Sequence, residues 1–336
     1  MHALRSNRRW FGLILIAVTL SLWTEDAARG HVQPAPLQTQ DATTDTHADT
    51  KAPVPLDPDR PLPDIPKLML EVEAHEREAE TLEKDYIFHS VQTVQEVDGH
   101  GAVKKTEVNE YDDFWIDGVP VQRLVKKDGK ELSDEEKKKE DARVDQEAAR
   151  ARERRAREDA KGQESDPRGH DEITLSRILE LGSFQNPRRV QLNGRDTIVV
   201  DYIGDPKART QNRMETLIRD LLGTVWVDEQ DHTITRTEGH FVNDFKIGGG
   251  LLADIRKGTT FSLQQVRINN EVWLPARAEG HGSARVLLFF SFHGTGTAVY
   301  SDYRKFKTSS TIVAAGAAAS EKQTGSPGAS GPDQPK

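Results

Sequence analysis

The chain has 336 residues, a formal net charge of -9 at pH 7 and no cysteine. The modest negative charge, with no concentrated basic face, argues against nucleic acid as a partner. Without cysteine the chain forms no disulfide and offers no thiol nucleophile, so its stability must come from a buried apolar core.

Residues 1–30 have the pattern of a secretory signal peptide. Arg8 and Arg9 lie in a basic region, an apolar run occupies residues 10–23, and the small residue Ala28 suits a signal peptidase. The arginine pair also fits a twin-arginine signal, but the apolar run is more typical of the general secretory route. We therefore expect an exported protein of the periplasm, with an uncleaved membrane anchor as the alternative.

Two segments contain too few large apolar residues to form a core. Residues 31–66 are rich in proline, threonine and aspartate, and residues 308–336 in alanine, glycine, serine and proline. Such compositions are typical of disordered segments. The sequence thus predicts a Pro-rich disordered linker, one core domain over residues 67–307, and a disordered tail.

The core domain begins with a predicted amphipathic helix from Pro66 to about Lys84. Strand-like runs follow this helix, and the Asp-Gly pairs between them favour hairpins. The runs are Tyr86 to Glu96, Val103 to Glu110, Phe114 to Asp117 and Val119 to Val125.

A charged insertion at 134–165 interrupts the strands. Ser133 and Glu136 form a capping-box sequence that opens a helix over residues 134–159, and this helix has almost no apolar side. We expect a solvated helix that projects from the sheet. The alternative is a docking arm for an envelope protein partner or for anionic lipid headgroups.

Two further helices are predicted beyond the insertion. The first covers Asp171–Leu181 and is followed by a strand pair across a turn at Asn193. The second covers Met214–Leu222, where apolar residues recur at helical spacing, and Gly223 stands where a left-handed cap is expected.

From residue 224 to 305 the chain alternates strands and turns, with a two-residue turn at Asn269 and Asn270. One run, Ala284 to Phe292, is apolar on both faces, which predicts that a helix or an apolar ligand covers each side. The order of elements predicts an α+β fold. In that fold a curved antiparallel sheet forms an incomplete β-barrel covered by short helices.

Four short sequences resemble the outer-membrane lipoprotein-sorting superfamily, the LolA and LolB type. They are Leu222-Gly-Thr-Val-Trp-Val-Asp228, Ile234-Thr-Arg236, Val272-Trp-Leu-Pro275 and Tyr300-Ser-Asp-Tyr-Arg-Lys-Phe306. The resemblance implies a half-barrel with an apolar face under a helical lid. It implies an activity that depends on this apolar surface rather than on a reactive motif.

The sequence contains no recognisable catalytic motif, so we expect neither an enzyme nor a cofactor. His240, His281 and His293 are more simply solvated histidines than metal ligands, and Asp112 with Asp113 are explained by turn or strand-edge positions. We therefore expect no metal site.

The expected function is the non-catalytic binding of a lipid or acyl chain in the half-barrel. An envelope regulatory or scaffold domain that recognises a protein partner is the first alternative, and a hydrolase with a dispersed site is the second. The candidate ligand-binding residues are Trp226, Phe241, Phe245, Phe261, Leu263, Trp273, Leu287 and Phe289.

Overall fold

The structure is a computed structural model that describes residues 60–116, 119–161, 174–247, 253–286 and 290–306. These residues belong to one compact unit, which ends at Phe306. The predicted signal peptide, the linker as far as residue 59 and the predicted tail lie outside the described residues.

One antiparallel sheet contains every strand of the described residues. Its main path runs β4-β3-β2-β1-β13-β12-β11-β8-β7-β6-β5, and β9 and β10 attach beside β12. Because β4 and β5 stand at its two ends, the sheet is an open, incomplete barrel and the α+β class is confirmed. The strands are β1 (Tyr86–Val97), β2 (Val103–Ile116), β3 (Val119–Lys127), β4 (Lys130–Glu131), β5 (Gly182–Leu192), β6 (Arg195–Gly204), β7 (Leu221–Asp228), β8 (Thr233–Phe241), β9 (Phe245–Ile247), β10 (Ala253–Ile255), β11 (Thr260–Ile268), β12 (Val272–Val286) and β13 (Phe290–Lys305).

Four helices of the described residues accompany the sheet: α1 (Ile65–Glu83), α2 (Asp134–Lys161), α3 (Leu175–Leu181) and α4 (Arg213–Arg219). Helix α1 confirms the prediction from Pro66, and Asp64 caps it by accepting the Lys67 N–H at 2.8 Å. Within the described part of the chain, no helix is both long and apolar enough to span a membrane.

Two apolar clusters lie on one face of the sheet, which we call the inner face. The first packs α1, α3 and α4 against β6, β7 and β8, and includes Met69, Val200 and Val225. The second joins β1 to β8, β11, β12 and β13, and includes Phe241 and Leu274. The helices thus cover part of the inner face, and the strands beyond them bury their own apolar side chains.

The predicted hairpin turns are confirmed where Asx residues take positive φ. Asp128 (φ 50°), Asn193 (φ 51°) and the pair Asn269 and Asn270 (φ 51° and 54°) each stand between two paired strands. This left-handed backbone is the conformation that tight hairpin turns require.

The prediction of a single strand from Ala284 to Phe292 is wrong. Ala284 pairs with Phe292 and Val286 pairs with Phe290 in the antiparallel ladder of β12 and β13, so the chain reverses between them. Half of the run belongs to each strand of a hairpin. Because the run is divided between two strands, the alternation of its apolar residues does not define the two faces of one strand. The prediction that a helix or an apolar ligand covers each face therefore does not hold.

The predicted helix through Leu222 is also too long. Helix α4 ends at Arg219, and Leu221 already begins β7. Gly223 is not a cap but a strand residue between Tyr202 and Gly239, where a Cβ would lie 2.4 Å from the Glu238 carbonyl oxygen. Strand pairing on both sides of β7 overrides the helical spacing.

Helix α2 does not simply project from the sheet, as the charge pattern suggested. Val144 and Ala148 are buried, and Val144 packs with Val121 of β3. Val144 is the one residue of α2 in this described cluster, so a helix with almost no apolar side gave little sign of the contact. Asp113, expected at a turn or strand edge, lies instead within β2, paired with Phe88 and Gln122.

Candidate functional site

An apolar cavity of about 40 Å³ lies between the inner face and the helices α3 and α4. It is the candidate site because short helices rather than a second sheet form its roof. Its lining residues are Leu175, Ile178, Phe184, Tyr202, Ile218, Leu221, Gly223, Thr224, Val225, Thr237, Glu238 and Phe261.

Helix geometry directs the roof residues inward. Helix α3 begins at the Thr174 cap, whose hydroxyl accepts the Arg177 N–H at 3.1 Å, and Leu175 and Ile178 then fall one turn apart on the buried face. Asn212 caps α4 in the same way, and Ile218 completes the roof.

A partly buried ion pair fastens α3 to α4. Arg177 donates from Nε to Glu215 Oε1 at 3.0 Å and from Nη2 to Oε2 at 2.9 Å. Glu215 also accepts the Gln211 N–H at 2.6 Å, and these bonds, chiefly that from Arg177, lower the pKa of its carboxyl group. The two-pronged geometry holds the roof helices in one relative position.

A second polar contact fastens α3 to α1. Glu73 of α1 accepts the Ser176 hydroxyl at 3.0 Å and the Ser176 N–H at 3.2 Å. The roof over the cavity is therefore tied on both sides by hydrogen bonds, while apolar contacts hold it against the sheet.

Four of the predicted ligand residues lie on the inner face. Phe261 lines the cavity itself. Phe241 and Leu263 are buried in the neighbouring cluster, with the Phe241 and Phe261 ring centroids 6.0 Å apart, and Phe245 packs at its margin. The structure thus brings Phe261 to the cavity and places the other three beside it.

The two predicted tryptophans lie on the opposite face. Trp226 stands between the inward Val225 and Val227, and the Arg236 guanidinium lies 4.9 Å from its ring centroid. Trp273 stands between the buried Val272 and Leu274.

Trp273 takes part in a polar network on that face. Its indole N–H donates to Asp231 Oδ2 at 2.8 Å, and the Arg195 guanidinium lies 5.8 Å from its ring centroid. Neither tryptophan contributes to the cavity. Leu287 and Phe289 lie outside the described residues.

Sequence reasoning missed most of the lining. Tyr202 lines the cavity from β6, and burial raises the pKa of its hydroxyl group. Ile178 and Ile218 line it from the two helices that the sequence predicted beyond the insertion. Sequence spacing does not show which apolar helix face packs against which strand. The cavity therefore could not be assembled from the sequence.

No family model matches this chain. No curated protein matches it either. Several solved structures are similar, among them a domain from Vibrio parahaemolyticus described as an outer membrane lipoprotein-sorting protein. It is 13% identical, with a TM-score of 0.33, and the match covers 73% of this chain and 95% of that domain.

The second structure is a DUF1329 family protein from Desulfovibrio piger, 10% identical, with a TM-score of 0.30 over 71% of this chain and 90% of that one. The third is a LolA superfamily protein from Nitrosomonas europaea, 10% identical, with a TM-score of 0.25 over 70% and 93%.

Two histidines of the β12–β13 ladder contact hydroxyl groups across the two strands. His281 Nδ1 lies 3.0 Å from Thr295 Oγ1, and Ser283 contacts His293 on the same exposed ladder. Among the described residues, no group of three or more histidine, aspartate or glutamate side chains could hold a metal ion. The site therefore offers apolar contacts to a ligand, beneath two helices that hydrogen bonds and an ion pair hold in place.

Proposed function

We propose that this chain is a periplasmic binding protein that holds a lipid or acyl chain between the inner face and the roof helices α3 and α4, without catalysing a reaction. The observation that supports this most is the apolar cavity under two seven-residue helices. The predicted signal peptide at 1–30 supports the location.

The size of the cavity determines how a ligand would enter. At about 40 Å³ it is far smaller than the roughly 150 Å³ of an apolar cavity that holds a benzene ring, so it does not enclose an acyl chain as it stands. Binding therefore requires α3 and α4 to move outward. The ligand would then cover Leu175, Ile178 and Val225, and each buried methylene contributes about 0.8 kcal/mol.

A protein partner is the second candidate function, and the surface of α2 favours it. Beyond Ala148 this helix carries the exposed Arg150, Arg152 and Arg157. An exposed run of arginines fits an acidic surface on an envelope protein.

The test measures binding of a fluorescent long-chain fatty acid to the parent and to Thr237→Leu. Thr237 is buried and lines the cavity, so the larger apolar side chain fills the space that the probe needs. We expect affinity to fall about tenfold, the size of a steric penalty of about 1.4 kcal/mol.

The matched control is Ser262→Leu, a similar change at a residue that points away from the neighbouring Phe261 and Leu263 and hence from the cavity. It should bind the probe as the parent does. If the parent binds no fatty acid and mass spectrometry finds no lipid in the purified protein, the protein-partner function replaces the lipid-binding one.

A further inference from the structure

The outer edge of β3 is one part of the described sheet where a strand lacks a neighbouring strand along most of its length. β3 pairs with β2 along its length, but with β4 only at Lys126 and Lys127. In a strand, alternate residues direct both main-chain groups to the same side, so Pro120, Gln122 and Leu124 face outward. An unpaired edge of this kind is a surface to which another strand adds.

Helix α2 occupies that edge with two side chains. The Leu124 N–H donates to Glu140 Oε1 at 2.7 Å, and the Gln122 carbonyl accepts from Arg143 Nη2 at 2.5 Å. Glu140 and Arg143 thus supply one acceptor and one donor where a neighbouring strand would supply its main chain. Pro120 has no N–H to leave unpaired.

Further contacts hold the two side chains in place. Arg143 donates to Glu140 through Nε at 2.8 Å and through Nη2 at 2.7 Å. Burial opposes ionisation of Glu140, but the bonds from Arg143 and from the Leu124 N–H outweigh it and lower the pKa of the carboxyl group. Val144, fully buried one turn along, anchors the helix to Val121.

We propose that the first half of α2 is a releasable closure of the β3 edge, and that β3 of a second copy of this chain pairs with the edge once the closure is released. The chain then associates through strand addition, in a symmetric antiparallel pair of β3 strands.

The sequence of β3 suits pairing with itself. In a symmetric pair, Gln122 of one copy stands opposite Gln122 of the other. Arg123 then stands opposite Val121 and Leu124 opposite Pro120, so no two like charges meet. The other end of the sheet is a poorer acceptor. The ladder of β5 is interrupted between Gln185 and Arg188, at a segment that contains Pro187, and both features blunt an edge.

The experiment compares the parent with the double variant Glu140→Gln/Arg143→Met, which removes the ionic closure without changing net charge. Sedimentation velocity over a wide concentration range should show a monomer for the parent and a concentration-dependent dimer for the variant. At low concentration, hydrogen exchange of the Leu124 amide should be about tenfold faster in the variant, because its bond to Glu140 is weakened.

The matched control is Glu135→Gln/Lys139→Met, an exposed ion pair at 3.0 Å on the same helix. It should behave as the parent does. Equal association of the parent and both variants, or unchanged exchange at Leu124, overturns the proposal.

A third variant adds Leu124→Pro to the Glu140→Gln/Arg143→Met pair. The Leu124 N–H points outward, so proline removes a donor for the second copy without breaking the ladder with β2. If the double variant aggregates or fails to stay soluble, this addition should restore a soluble monomer. Continued aggregation of the triple variant contradicts strand addition at this edge.

Discussion

At the scale of single residues, Asp113 shows how the sheet accommodates a buried carboxyl group. Its Oδ2 accepts the Ser90 hydroxyl at 2.5 Å and its Oδ1 accepts the Gln122 amide at 2.6 Å, from the strands on either side. Burial nevertheless raises the pKa of Asp113 from 3.8 to about 6, since two neutral donors do not replace full hydration. Below about pH 6, therefore, Asp113 is mainly protonated in the folded protein.

This raised pKa predicts a specific pH dependence of stability. Between pH 3.8 and about 6 the folded state binds a proton that the unfolded state has lost, so the free energy of unfolding falls as pH rises through that window. Above about pH 6 the loss is complete. Each pKa unit corresponds to about 1.4 kcal/mol, so the total is of the order of 3 kcal/mol.

The variant Asp113→Asn should lack this component, because the amide keeps both hydrogen-bond partners and has no charge to desolvate. Urea denaturation at pH 4 and pH 7.5 should show a smaller fall in unfolding free energy for the variant than for the parent. Asp112→Asn, adjacent in sequence but on the other face, serves as the control. Parallel curves for the parent and Asp113→Asn would contradict the prediction.

At the scale of secondary-structure elements, the sequence predicted what depends on neighbours along the chain. The start of α1 near Pro66 and the positive-φ turns at Asn193 and Asn269 need only local chemistry, and all were found where expected or within a residue or two. The end of α4 and the hairpin at Val286 were not predicted. Pairing between distant strands decides both, and a periodic apolar pattern cannot reveal it.

The candidate site was predicted in part for the same reason. Phe261 and Leu263, two of the candidate ligand-binding residues, are buried on the inner face, and their contact with a ligand stays a prediction. Trp226 and Trp273 were selected for their size, yet cation–π and hydrogen-bond partners on the other face hold them. The roof helices join the site only through tertiary contacts such as Arg177 with Glu215.

The ladder between β1 and β13 contains a residue whose substitution should weaken both strands. Gly294 pairs with Glu96, has φ +158°, and leaves no room for a Cβ, which would lie 1.8 Å from the Gln95 carbonyl oxygen. Gln95 is itself paired with Thr106 of β2 and cannot withdraw without breaking that ladder.

Gly294→Ala should therefore reduce the free energy of unfolding by about 2 kcal/mol or more, as expected for overpacking against main chain. The midpoint of urea denaturation measures this loss. Gly99→Ala is the matched control, because a Cβ at Gly99 meets nothing within 4 Å. Equal midpoints for the two variants would show that β1 and β13 are less tightly paired than described.

At the scale of the whole molecule, strands from the two ends of the domain meet in the middle of the sheet. β1 lies between its sequence neighbour β2 and the last strand, β13, with Tyr86 opposite Lys305. Glu271, next to the β11–β12 turn, contacts the Tyr86 hydroxyl and the Lys305 ammonium, the latter at 2.6 Å. Because these pairings join distant parts of the chain, we expect the domain to fold slowly and cooperatively.

The segment before α1 belongs to this unit, although the predicted linker extended to residue 66. Arg60 contacts Asp196 at 2.6 Å and Glu229 at 2.5 Å. Arg189, whose side chain is 6% exposed, donates to the Arg60 carbonyl at 2.7 Å and to the Pro61 carbonyl at 3.0 Å. These contacts fasten the start of α1 to β5, β6 and the end of β7.

Three fragments of the chain test where the folded unit begins. Residues 31–59 and 307–336 contain few large apolar residues, so the fragment 60–306 should unfold at the same urea midpoint as the fragment 31–336. The fragment 67–306 lacks the Asp64 cap, the buried Ile65 and the Arg60 ion pairs. Loss of the cap alone is worth about 1 kcal/mol, and truncating a buried side chain adds about 2 or more. The urea midpoint of the fragment 67–306 should therefore be clearly lower than that of 60–306.

Two outcomes would contradict these expectations. Equal midpoints for 60–306 and 67–306 would place the start of the unit at α1. A lower midpoint for 60–306 than for 31–336 would show that residues outside 60–306 contribute to stability.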